Sequence, residues 1–178
     1  MTERSYFWPI NPAVGDAVYS PYNAEEFNAW LLSYQTGNST NLDADDVILV
    51  VPGYLDDLYI QTAGVGTHSV VVSAGAAIIH NCFYISDMSI SLPIDVATAG
   101  YTRKDSVVLR WHNQRVRVAV LKGAETTGVA VKPALTQTVG TWEVELAVIY
   151  VDGDVTYIQD KNIDDKRRFL YNNYNLTF

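Results

Sequence analysis

The chain has 178 residues, 48% of them apolar, enough for one domain that buries its own core without a covalent staple. Its single cysteine, Cys82, excludes an intrachain disulfide and a multi-cysteine zinc site, and no apolar run reaches the roughly 18 residues of a membrane span. The net charge of −8 sits entirely in the first third: residues 1–60 carry nine acids against one base, Arg4, while residues 61–178 carry eleven of each. Such a balance speaks against a phosphate-binding footprint, so no nucleic-acid partner is expected.

The opening, SYFWPINPAVGDAVYSPY over 5–22, is aromatic where chain ends are usually polar. Rings such as Tyr6, Phe7 and Trp8 bury roughly 150–250 Å² each when they find a partner, so this arm reads as a docking element, with Pro9 and Pro12 limiting its unfolded freedom. A short amphipathic helix is expected next. Asn23 caps it, Glu26 completes a capping box, Phe27, Trp30, Leu31 and Tyr34 recur at helical spacing, and Gly37 ends it. The acidic loop that follows begins like a calcium loop (Asn41, Asp43, Asp45) but lacks the glycine and the distal glutamate, which leaves a solvated loop as the default.

From residue 47 the period changes to two. Strands are expected at 47–51, 58–62, 68–73, 76–81, 83–85, 89–92, 106–112, 115–121, 142–151 and 155–159. Many short strands with turn signals between them predict a mainly β fold, an antiparallel sandwich or barrel-like module. Ala74-Gly75 and Asp152-Gly153 suit two-residue hairpin loops.

Two hairpins define faces. A loop at Asn113-Gln114 sets Trp111 opposite Val116, Leu109 opposite Val118 and Val107 opposite Val120, an apolar face for the core. The other face pairs His112 with Arg115 and Arg110 with Arg117, a cationic strip that requires an acidic neighbour. Glu143 and Glu145 lying beside Arg115 and Arg117 in the same sheet would satisfy it; so would an acidic surface of another subunit, or an anionic glycan. The turn at Asp152-Gly153 sets Tyr150 opposite Val155 and Val148 opposite Tyr157, and groups Glu143 and Glu145 with Ile149 and Val151 on the second face. The tail, FLYNNYNLTF over 169–178, is aromatic again, and Tyr171, Tyr174 and Phe178 are interface candidates.

Catalytic signatures are missing from this pattern. The histidines His68, His80 and His112 lie in or beside expected strands, no nucleophile elbow occurs, and Cys82 reads as a small buried thiol. No metal motif and no phosphate-cradling glycine loop is present, so no enzyme activity, metal or cofactor is expected.

The order of the motifs resembles tailed-bacteriophage virion proteins of the fibre, baseplate and head-fibre appendage type. The elements are S-Y-F-W, then G-D-A-V-Y-S-P-Y, a short acidic helix, P-G-Y-L at 52–55 and VVVSAGAA at 70–77. After them come RKDSVVLRW at 103–111, KPALTQ at 132–137 and TWEVELAVIYVDGDVTYIQD at 141–160. The resemblance implies a non-enzymatic homo-oligomer, commonly a trimer, found in the virion after assembly in the host bacterial cytoplasm. Its partners would be baseplate, tail or capsid proteins, with no membrane partner. It further implies an N-terminal docking arm with a short helix (1–46), a β-rich body (47–168) and an aromatic tail (169–178). Head-fibre or capsid-decoration protein and glycan-binding receptor module remain the alternatives.

Overall fold

The computed structural model describes residues 3–7, 49–79 and 82–169. The expected helix at 23–37, the acidic loop at 41–46, Trp8, Pro9, Tyr171, Tyr174 and Phe178 lie outside the described residues.

Strands in chain order are β1 (Glu3–Phe7), β2 (Leu49–Val50), β3 (Ile60–Thr62), β4 (Ser69–Val72), β5 (Gly75–Ile79) and β6 (Cys82–Ser86). They continue as β7 (Ile90–Pro93), β8 (Thr102–His112), β9 (Arg115–Leu121), β10 (Gln137–Thr138), β11 (Thr141–Asp152) and, after one 3₁₀ turn (Asp160–Asn162), β12 (Ile163–Asp165). The fold is mainly β, as the period-two pattern predicts, and its paired strands are antiparallel. Among the described residues three separate sheets form, in the orders β1-β6-β5-β2, β3-β4-β7 and β10-β11-β8-β9, with β12 also paired to β11. They do not close into a barrel. One apolar core serves all three, joining Val50, Ile60, Val72, Ile79, Tyr84, Leu109, Val116 and Ile149.

The 113–114 hairpin forms in the register its alternation demands: Trp111↔Val116, Leu109↔Val118, Val107↔Val120, with Arg110↔Arg117 and His112↔Arg115 behind. Asn113 and Gln114 both take positive φ, 49° and 60°, as a tight turn matched to strand twist requires.

Three expectations fail for identifiable reasons. Ala74-Gly75 is not a hairpin loop: β4 pairs with β3 and β7 while β5 pairs with β2 and β6, so the chain turns a corner between two sheets. The glycine is needed for close approach, since a Cβ on Gly75 would lie 2.4 Å from the backbone nitrogen of Leu58. Residues 155–159 form no strand opposite β11. Ile158 instead donates its N–H to the Thr67 carbonyl at 3.2 Å, and its carbonyl accepts from Thr62 Oγ1 at 2.7 Å, tying this segment to the β3–β4 end. The third failure concerns β11, which does not alternate without interruption. Its register with β8 slips between Glu145 and Ala147, a β-bulge at Leu146. Trp142 and Val144 therefore share the core face with Ala147, Ile149 and Val151, and Glu143 and Glu145 share the outer face with Val148 and Tyr150.

The outer face of β8 and β11 is covered too. Val108 and Ser106 point away from the core yet are fully buried. The segment 122–136, irregular in backbone, straps across them. It is anchored by Thr126, whose N–H donates to the Thr102 carbonyl at 2.9 Å, and by the Thr136 N–H on Glu143 Oε2 at 2.7 Å.

Gly75→Ala is expected to lower stability by about 1–3 kcal/mol through overpacking. Gly140→Ala, whose Cβ would meet nothing within 4 Å, is expected to leave the thermal midpoint nearly unchanged. Calorimetric unfolding of the two variants checks this contrast.

Candidate functional site

Strand alternation places Arg103 and Asp105 on the inward face of β8, in line with Val107 and Leu109, and both are buried. A guanidinium removed from water needs full pairing. Arg103 Nε donates to Asp105 Oδ1 at 2.9 Å and Oδ2 at 3.1 Å, and Nη1 donates to Glu125 Oε1 at 3.1 Å and to the Val96 carbonyl at 3.2 Å. Nη2 donates to the Asp95 carbonyl. Asp105 Oδ1 also accepts the Gly123 N–H at 2.9 Å. The cluster thus joins the 95–97 loop, β8 and the start of the strap.

The cationic strip has its register but not its expected neighbours. Arg110, half-exposed, donates from Nε to the buried Glu143 Oε1 at 2.6 Å, across the β8–β11 pair. Glu145 accepts from Ser106 Oγ at 2.8 Å and from Lys132 Nζ at 2.6 Å. Neither acid lies beside Arg115 or Arg117, because β9 borders β8 and not β11. Arg117 donates from Nη1 to the Val116 carbonyl at 2.6 Å, Arg115 is exposed, and His112 Nδ1 sits 2.8 Å from Thr141 Oγ1. Of the arm residues, Tyr6 and Phe7 lie in β1, in register with Phe83 and Cys82 of the same chain.

Charge gathers at a place that linear spacing did not single out. A groove of about 560 Å³ runs along the outer face of β8 and β11. Val148, Tyr150 and Lys104 form its floor, Val131 and Lys132 of the strap one wall, and Lys161, Asp164 and Lys166 the other. Lys104 and Lys132 are far in sequence from Lys161 and Lys166, and the strap and the β11–β12 pairing bring them together. The one available signal was β-alternation: Lys104 and Tyr150 are directly paired across β8 and β11.

A second unforeseen feature is the loop before β3. Leu55, Asp57 and Leu58 have φ of 57°, 56° and 54°, a left-handed conformation that costs a side-chain-bearing residue energy. This loop leaves Tyr54, Leu55 and Tyr59 exposed at 42%, 55% and 45%. Arg167 stacks 5.0 Å over the Tyr59 ring and donates to the Asp57 carbonyl at 2.8 Å, which fixes the loop from below.

Cys82 is fully buried; burial pushes its thiol pKa up, and a hydrogen bond involving Trp111 offsets only part of that rise. Among the described residues no group of His, Cys, Asp and Glu is arranged to hold a metal ion, and no helix is long and apolar enough to cross a membrane. Compared with protein-family models, curated proteins and solved structures, the chain matches none.

Two expected outcomes follow from these groups. Asp105→Ala takes the acceptor from Arg103 Nε and from the Gly123 N–H, leaving Glu125 as the remaining counter-ion, and is expected to cost about 3 kcal/mol in denaturant unfolding. Hydrogen bonds from Thr98, then the Arg103 guanidinium, hold the Glu125 carboxyl below its ordinary value of 4.5. A depressed carboxyl contributes stability above its unfolded pKa and loses it as pH falls through the folded one. Glu125→Gln is therefore expected to flatten the decline of the unfolding midpoint below pH 4.5, read by thermal scans across an acid series.

Proposed function

We propose that this chain is a non-enzymatic structural subunit of a tailed-bacteriophage virion. In this reading it is a symmetric oligomer, most simply a homotrimer, serving as a fibre or baseplate adaptor. The sequence supplies the motif order and the aromatic ends. The observation that carries the oligomeric reading is the strained loop before β3. Three side-chain-bearing residues are held at positive φ there, and the loop presents Tyr54 and Leu55 to solvent. Backbone strain persists only where surrounding structure enforces it, and an enforced loop that displays apolar side chains is suited to contact another protein surface. The open sheets support the same reading, because assembly is a common way to cover strand edges. A place on the head, as fibre or capsid decoration, uses the same contact chemistry.

A second reading, a receptor module that binds glycan, is favoured by the lysine-lined groove.

Native mass spectrometry of the full chain tests the first reading. The expected mass is a small multiple of 19.8 kDa, three copies in the simplest case. Leu55→Asp, which suits the left-handed backbone but places a charge in the contact, is expected to weaken assembly by about tenfold or more while leaving the β-sheet circular dichroism unchanged. A wild-type chain that stays monomeric at concentrations of about 100 μM, the range of weak transient contacts, overturns the proposal.

A further inference from the structure

We infer that the groove between the 122–136 strap and β12 binds an acidic saccharide, whose acid groups pair with Lys104 and Lys161 and whose ring face lies on Tyr150. This deepens the glycan-binding reading and is independent of the oligomeric one.

Four of the chain's five lysines line this one groove: Lys104, Lys132, Lys161 and Lys166. Two of them are neutralised within the fold, Lys132 by Glu145 at 2.6 Å and Lys166 by Asp164 at 2.8 Å. Among the described residues, Lys104 and Lys161 have no ion-pair partner. Lys104 is also half-buried, standing beside Tyr150 on the groove floor. Like charges gathered in a recess repel one another and lose hydration, so the arrangement favours an anion that enters. Elsewhere the chain is acidic, so this local excess of cation runs against its average.

The floor narrows the class of anion. Val148, Tyr150 and Val131 give it an apolar surface, and Val131 and Tyr150 are 73% and 37% exposed. A bare inorganic anion gains nothing from that surface. A sugar ring does, since it offers C–H groups to an aromatic face while its carboxylate or sulfate substituents reach the rim. A volume of about 560 Å³ falls within the range of small-ligand sites. Lysines supply mobile point charges without the rigid fork of arginine, which suits acid groups spaced along a flexible chain. A long phosphate polymer is disfavoured because its charge would extend past the groove over an acidic surface.

Isothermal titration of the full chain at low salt, with four probes, tests the inference. The probes are an oligogalacturonate, a heparin-derived hexasaccharide, a neutral dextran oligosaccharide and a thymidine oligonucleotide. Binding of either acidic saccharide, falling as salt is raised, with dextran inert, supports the proposal. Which acid binds separates a carboxylated source from a sulfated one. Lys104→Ala with Lys161→Ala is expected to weaken binding at least about tenfold, the loss of one or two charged contacts. Lys122→Ala is the control, since Lys122 lies off the groove and pairs with Asp95 at 2.8 Å. Should the double variant unfold, Lys161→Glu on the exposed 3₁₀ turn carries the same expectation. Four results would overturn the proposal: no acidic saccharide bound, dextran bound as tightly, the oligonucleotide bound more tightly, or full affinity kept in the lysine variants. Leu55→Asp should bind as the parent does, so loss of assembly and loss of this site are read separately.

Discussion

An arginine side chain with no solvent exposure organises the centre of this molecule. Arg103 reaches the interior because it shares a strand face with Val107 and Leu109, and the same alternation supplies Asp105 two residues on. The pair alone would not offset desolvation. Two backbone carbonyls of the 95–97 loop, together with Glu125 and the Gly123 N–H of the strap, complete the set. The demand for complete pairing thus fixes where the 95–97 loop and the strap must lie. A core of aliphatic contacts would accept small shifts of these segments; a buried guanidinium does not.

From that fixed point the strap continues over the second face of β8 and β11, so the central sheet is covered on both sides. Covering explains how Glu143 is buried while carrying charge: Arg110 meets one oxygen and the Thr136 N–H the other. The Lys132–Glu145 ion pair joins strap to sheet on this face. The groove exists because the strap and β12 stand on either side of it, with Tyr150 between. Fold and candidate site therefore share one cause, the crossing of an irregular segment over a regular one.

Much of the sheet framework was legible from alternation. The β8–β9 hairpin could be read residue by residue because an apolar face and a cationic face alternate without interruption, and Asn113-Gln114 suits its turn. The start of β8 was hidden, since Arg103, Lys104 and Asp105 look like a polar loop until their partners are known. Ala74-Gly75 misled because a small pair between two β-branched runs fits a hairpin as well as a corner between sheets. The lysine groove was invisible for a different reason. Its members come from β8, the strap and the β12 region, and no local pattern links residues 104, 132, 161 and 166.

The bulge at Leu146 has a bearing on how the gene for this chain can change. Ahead of it the acidic side chains face outward at odd positions; beyond it the core takes the odd positions. Losing the Leu146 codon would remove the extra residue and leave both halves alternating on their present faces. Losing a codon from either flanking run would instead put that run out of step, driving Glu143 into the hydrocarbon interior or turning Ile149 and Val151 out to water. The strand can therefore shorten without scrambling its faces at one place, the bulge itself.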